Sequence, residues 1–229
     1  MINSSIAPGV SARQTFHDRR EAGRALATLL RKFAGRADVV VLGLPRGGVP
    51  VAFEVAAAIG APLDVFTVRK LGAPGHEEFA MGAIASGGAY VLNEEAIESL
   101  GISHDDIVRV ARRERQELDR REHLYRDHRQ YPVLEGKTVI LVDDGIATGA
   151  SMLVAVNALR QKGPAKIVVA VPVASLEAYS SLRGHADEVI CCHAPDRFVG
   201  VGGWYEDFSQ VGDDEVRRLL NQTSQRGAL

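Results

Sequence analysis

The chain has 229 residues, 46% of them hydrophobic and 24% charged, which suits one α/β domain with an elaboration and excludes disorder over its bulk. Lys and Arg number 27 against 29 Asp and Glu, a formal net charge of -2. That balance argues against a protein built to coat nucleic acid, but it permits a local cationic site for a small anion.

In chain order, Met1 to Val10 shows no secretory pattern, and no stretch reaches the ~18 consecutive apolar residues of a membrane helix. A cytoplasmic protein without nucleic-acid or membrane partners is the expectation. Residues 17–34 place Ala22, Leu26, Leu29, Leu30 and Phe33 on one helical face. Val39 to Leu44 is an apolar run of strand length that ends in Pro45-Arg46-Gly47-Gly48 and enters a helix over Pro50 to Ile59. Strand, glycine turn, helix opens a βαβ unit. Leu63 to Val68 reads as the next strand, with Arg69-Lys70 at its end. Between Gly72 and Asn93 the character changes, and Phe79 to Ser86 and Ala89 to Leu92 flank Gly87-Gly88 as a hairpin. Residues 104–129 form a helix with eight Arg and seven Asp or Glu, read as a solvated face.

Thr138 to Val142 is a buried strand, followed by Asp143-Asp144-Gly145-Ile146-Ala147-Thr148-Gly149-Ala150-Ser151 and a helix from Met152 to Gln161. Lys166 to Val173 is a strand, Leu176 to Leu182 a short helix, and Glu188 to Cys192 a last core strand. Its two cysteines, Cys191 and Cys192, are adjacent and make neither a disulfide framework nor a zinc spacing, which suits a reducing compartment. Val199 to Asp207 is glycine-rich and irregular, and Asp214 to Asn221 closes the chain as a helix. Strands alternating with helices predict a mostly parallel sheet flanked by helices.

Ligands of such sheets bind beyond the carboxyl ends of the strands. Two carboxylates appear there abruptly after Val142. The turn behind them opens a helix, whose free N–H groups and positive dipole end suit a phosphate monoester. Gly145 and Gly149 allow the curvature, and Thr148 and Ser151 add hydroxyl donors. The acids would repel a phosphate, so they suit the vicinal hydroxyls of a ribose. Asp and Thr also cap helices without a ligand, which explains one acid more easily than two.

VILVDDGIATGAS resembles the phosphoribosyl-pyrophosphate motif of the type I phosphoribosyltransferases. Pro45-Arg46-Gly47-Gly48 is similar to the diphosphate loop of bacterial xanthine-guanine phosphoribosyltransferases, and Arg69-Lys70 to the same pair in adenine phosphoribosyltransferases. The tail Asp196 to Phe208 resembles, loosely, the hood of 6-oxopurine enzymes. Ala147 stands where those enzymes carry an Asp, as in adenine enzymes, so the acceptor stays open. The resemblance implies the type I fold over residues 1–229 as one domain, with a core at about 38–190, a helical insertion at about 94–131 and a hood at about 191–212.

It further implies transfer of the phosphoribosyl group from phosphoribosyl pyrophosphate to a small nitrogen heterocycle, with Mg2+ bound through substrate and water rather than a protein cage. Asp143, Asp144, Arg46 and Lys70 would carry catalysis. Gly47, Gly48, Arg69, Gly145, Ile146, Ala147, Thr148, Gly149, Ala150 and Ser151 would bind the donor, and Phe198, or else Trp204 or Tyr205, would stack on the acceptor. Residues 72–92 occupy the place of the family's mobile catalytic loop, with Gly72, Gly75 and Gly82 as hinges and His76, Glu77 or Glu78 as a proton carrier. A homodimer is the family expectation. Alternatives are a non-catalytic regulator that binds the same donor, and a Mg-dependent hydrolase using the same acids. The remaining histidines (His17, His104, His123, His128, His185 and His193) complete no metal spacing.

Overall fold

The computed structural model describes residues 5–6, 15–126 and 131–226. Met1 to Ser4, most of the predicted N-terminal stretch, His128 and the last residues of the predicted 104–129 helix lie outside the described residues. In chain order the elements are β1 (Ser5–Ile6), α1 (Arg19–Leu29), β2 (Val39–Gly43), α2 (Gly48–Ile59), β3 (Leu63–Val65), β4 (Val68–Ala73), β5 (His76–Ala85) and β6 (Tyr90–Leu92). Then follow α3 (Glu94–Ser99), α4 (His104–Arg126), β7 (Thr138–Val142), α5 (Ala150–Arg160), β8 (Lys166–Val173), α6 (Leu176–Leu182), β9 (Glu188–His193) and α7 (Asp213–Arg226).

The main sheet runs β1-β9-β8-β7-β2-β3 and every pairing in it is parallel. All residues of β2 and β7 are buried, because helices cover both faces. The pleat divides them: Val39, Val41, Ile140 and Val142 face the core shared with α1, α2 and α7. Val40, Leu42, Val139 and Leu141 face the core shared with α5 and α6. Each such side chain contributes about 1.5–3 kcal/mol by leaving water. The predicted α/β class with a parallel sheet between helices is therefore the observed one.

From β2 the chain winds outward to β3, and from β7 it winds the other way through β8 and β9. Adjacent β2 and β7 are thus the switch point of the sheet, where loops diverge and leave a crevice at the carboxyl edge. Gly43 pairs with Val142, so the two strands end level.

A second sheet, β4-β5-β6, is antiparallel and carries α3 and α4 on one face, around Leu71, Met81, Ile84 and Leu118. It corrects two expectations. The predicted strand Leu63 to Val68 ends at Val65, and Arg69-Lys70 belong to β4 rather than to the edge of the main sheet. Residues 72–92 form a ladder in which β5 pairs with both neighbours, rather than a loop. Gly72 lies at a bulge where a Cβ would stand 2.8 Å from the Glu77 carbonyl oxygen, and at Gly82 one would stand 2.4 Å from that of Val91. These glycines allow close strand approach. The hairpin around Gly87-Gly88 is present as β5 and β6.

The segment expected to be a helical insertion carries α3 and α4. The face of α4 is not wholly solvated: Glu114 and Arg126 are buried, where they meet Arg69 at 2.5 Å and Asp64 at 3.1 Å.

Candidate functional site

Two loops meet at the switch point. Leu44 leaves β2 and donates its N–H to the Val142 carbonyl at 2.8 Å, which fastens the first loop to the end of β7. Gly48 N–H closes back on the Leu44 carbonyl at 3.0 Å as α2 begins. The Pro45–Arg46 peptide is cis. Gly47 has φ -61, open to any residue, so space rather than backbone demands glycine. A Cβ on Gly47 would lie 2.1 Å from Asp144 Oδ2, and one on Gly48 would lie 2.8 Å from Asp143 Cα. The glycine loop is thus pressed directly onto the acidic pair. Arg46, on the same loop, is half-buried, has no ion pair among the described residues, and lies close enough to Tyr125 for its charge to act on that phenol.

The acidic pair is asymmetric. Asp143 Oδ1 accepts the Asp144 N–H at 2.8 Å. Burial, and then the charge of Asp144, push the Asp143 carboxyl well above the ordinary carboxylate range. Asp144 Oδ2 accepts Arg19 Nε–H at 2.8 Å, with the side chains only 14% and 11% exposed. The Asp144 carbonyl accepts the Tyr205 O–H at 2.5 Å. The two side chains also hydrogen-bond to each other, and outside the pair each carboxyl keeps one oxygen without an N–H or O–H donor among the described residues.

Behind the acids the turn is built as a donor cradle. Ile146 departs from the expected pattern: it is buried, its N–H is spent on the Val173 carbonyl at 2.9 Å, and it anchors the turn to β8. Ser175 Oγ–H holds the Ala147 carbonyl at 2.7 Å. The N–H groups of Ala147, Thr148 and Gly149 then donate no hydrogen bond among the described residues, and the side chains of Thr148 and Ser151 are exposed. Gly149 sits at φ 79, where glycine is favoured, and delivers the chain into α5 through Ala150.

The segment expected to form a hood lies against this turn. Val201 fits against Gly145, where a Cβ would lie 2.6 Å from Val201 Cγ1. Phe198 is half-buried at the edge of the core. Trp204 is a correction: it is 8% exposed, and its ring stacks on His193 at 5.6 Å between centroids, so it fills the core rather than offering a free face. Tyr205 is also buried, turned toward the Asp144 backbone.

The expected cations separate. Arg69 is committed to Glu114, and Lys70 is exposed on β4, its ammonium 3.3 Å from the Glu78 carbonyl oxygen. No contact joins Lys70 to Arg46 or the acids among the described residues. His76, Glu77 and Glu78 are exposed at the start of β5. Arg19, which sequence inspection does not single out, reaches the acids instead. It begins α1 among several arginines, and nothing in its spacing marks it.

Among the described residues no group of three His, Cys, Asp or Glu could hold a metal ion, and no helix is long and apolar enough to cross a membrane.

The family model for the phosphoribosyl transferase domain matches residues 82–209. Two Mycobacterium tuberculosis proteins, from strains H37Rv and CDC 1551, have names that carry the words phosphoribosyl transferase. Each is 45% identical over 207 residues, covering 90% of this chain and 46% of its own length. The chain thus spans about half the length of the curated relatives it matches. The crystal structure of TT1426 from Thermus thermophilus is 47% identical and superposes with a TM-score of 0.81, over 91% of this chain and 98% of that one.

Proposed function

We propose, for a chain that belongs to the phosphoribosyl transferase family, that it transfers a 5-phosphoribosyl group from phosphoribosyl pyrophosphate to a ring nitrogen of a nucleobase-like heterocycle and releases diphosphate. One observation carries the proposal: at the switch point the glycine loop after β2 rests on the acidic pair after β7, with one free oxygen on each acid. A donor with phosphate, ribose and diphosphate in series needs those three stations side by side.

The amides of Ala147, Thr148 and Gly149, with Ser151 and the start of α5, would hold the 5-phosphate. The free oxygens of Asp143 and Asp144 would accept the two ribose hydroxyls. Arg46 would meet the diphosphate with its planar fork of donors, across a backbone that Gly47 and Gly48 keep thin. Lys70 is a second cation for this group only if the donor bridges the distance from β4. Arg69 is assigned to structure, through Glu114. Phe198 offers its ring to the acceptor.

The acceptor nitrogen forms a bond to ribose C1 as the C1–oxygen bond breaks, the electron pair leaves with diphosphate, and the nitrogen sheds its proton. Charge builds on the leaving oxygen and on C1, so Arg46 and the carboxylates act where it develops. Asp143 and Asp144 would stand beside a Mg2+ that enters with the donor, and such an ion would neutralise the diphosphate.

The test is diphosphate release from phosphoribosyl pyrophosphate and Mg2+, with and without a panel of purines, pyrimidines and other nitrogen heterocycles. Release that depends on an acceptor is expected. Release without an acceptor would replace transfer by hydrolysis, and binding of the donor without release would make the protein a sensor.

A further inference from the structure

We propose that Arg19 is a positioning residue that ties the hood to the ribose-holding acid Asp144, so that donor and acceptor stations are set as one unit. The inference rests on the transferase function proposed above and goes beyond it, because no motif assigns a role to α1.

The geometry is a three-way bracket. Arg19 Nε–H donates to Asp144 Oδ2 at 2.8 Å, and Nη1–H donates to the Ser209 carbonyl at 2.8 Å. The guanidinium carbon lies 4.0 Å from the centre of the Phe208 ring and 5.9 Å from that of Tyr205. One planar group therefore touches the acidic turn and two hood aromatics at once, which a flexible ammonium would not reproduce. The segment leading into α1 is stitched to the same hood. Phe16 N–H donates to the Trp204 carbonyl at 2.8 Å, Glu206 N–H to the Phe16 carbonyl at 2.9 Å, and Asp207 N–H to the His17 carbonyl at 2.8 Å. Tyr205 closes the circuit on the Asp144 backbone.

The bracket also explains which carboxylate oxygen is left for substrate. Asp144 Oδ2 is wedged between Arg19 and the Gly47 backbone, so its other oxygen has a fixed direction. Without the guanidinium, Asp144 would stand beside Asp143 with no cation of its own and would be free to rotate. The hood would lose its anchor on the turn that it covers. Arg19 touches neither the reacting atoms nor the acceptor in this account; it acts through Asp144 and the hood.

The experiment compares the wild type with Arg19→Gln, Arg19→Lys, Phe208→Leu and the Arg19→Gln/Phe208→Leu pair. Backbone hydrogen exchange of the ligand-free proteins is followed in 143–149 and 201–209. Arg19→Gln is expected to speed exchange in both segments together, and Arg19→Lys to do so less. Donor KM is expected to rise about tenfold in Arg19→Gln, equivalent to about 1.4 kcal/mol, with a smaller change in kcat and partial recovery in Arg19→Lys. The effects of Arg19→Gln and Phe208→Leu should be non-additive on donor KM. Faster exchange in only one segment, or in neither, overturns the inference, as does a fall in kcat with donor KM unchanged. If Arg19→Gln does not fold, Arg19→Lys decides by the same paired exchange. A wild type that releases no diphosphate with any acceptor removes the transferase proposal, while exchange still judges the bracket.

Discussion

Gly47→Ala is the sharpest perturbation of the site. The added methyl carbon would lie 2.1 Å from Asp144 Oδ2 and 2.7 Å from its Cγ. A carbon–oxygen contact relaxes only beyond about 3 Å, so the carboxylate or the loop must retreat by about 1 Å. Asp144 has little freedom to give way, because Arg19 holds the same oxygen at 2.8 Å. Displacing it forfeits a charge-assisted hydrogen bond of about 1.5–3 kcal/mol. If the loss falls on aim at the ribose, donor affinity drops about 10- to 100-fold. The fold should suffer less. Gly47 is at φ -61, so alanine fits its backbone and restricts the unfolded chain, offsetting about 0.5 kcal/mol. Gly60→Ala is the control: at φ +68 with nothing within 4 Å, it should cost about 1 kcal/mol of stability and leave the donor untouched. Donor KM at saturating acceptor and thermal melting measure both effects. A Gly47→Ala enzyme with wild-type donor KM and wild-type Tm would refute the packing of the glycine loop on the acid.

Asp143→Asn should abolish turnover yet raise the Tm at neutral pH. Its folded pKa is raised by burial and by Asp144, so its contribution to stability is fully present below the ordinary carboxylate range and is lost as pH rises through the raised value. Melting curves across pH should rise on the acid side in the wild type and flatten in the variant. Arg46→Gln should raise donor KM at least tenfold with little change in Tm, since Arg46 has no ion pair among the described residues. Arg69→Gln should do the reverse, lowering stability by about 1 kcal/mol, because Glu114 Oε2 loses its guanidinium while Arg113 still holds Oε1 at 3.1 Å, and donor KM should move less than about fivefold. A large donor effect at Arg69 would return that residue to the diphosphate site.

Much of the fold could be read locally. Residues 39–43, 139–142 and 167–173 are continuous apolar runs because both faces of a parallel strand are covered, and that burial leaves its mark residue by residue. The acidic turn was equally legible: two carboxylates at the end of such a run, followed by a glycine-bounded helix start, have few structural uses. Elsewhere local pattern misled. Leu63 to Val68 looks like one strand, but β3 stops at Val65 and β4, in the other sheet, starts at Val68, packed with α3 and α4. Gly72 and Gly82 look like hinges in isolation, whereas their meaning depends on the carbonyls of Glu77 and Val91 across the ladder.

Strands, helices and the shape of the two loops are written into the chain locally, because burial and turn geometry act over a few neighbouring residues. Which charges meet is settled in three dimensions. An arginine 125 positions before Asp144 holds it, and the arginine and lysine that the motif offered for the diphosphate are held elsewhere on β4. Ion pairing depends on distance in space, and a solvated arginine and a bracketing one are spelled alike.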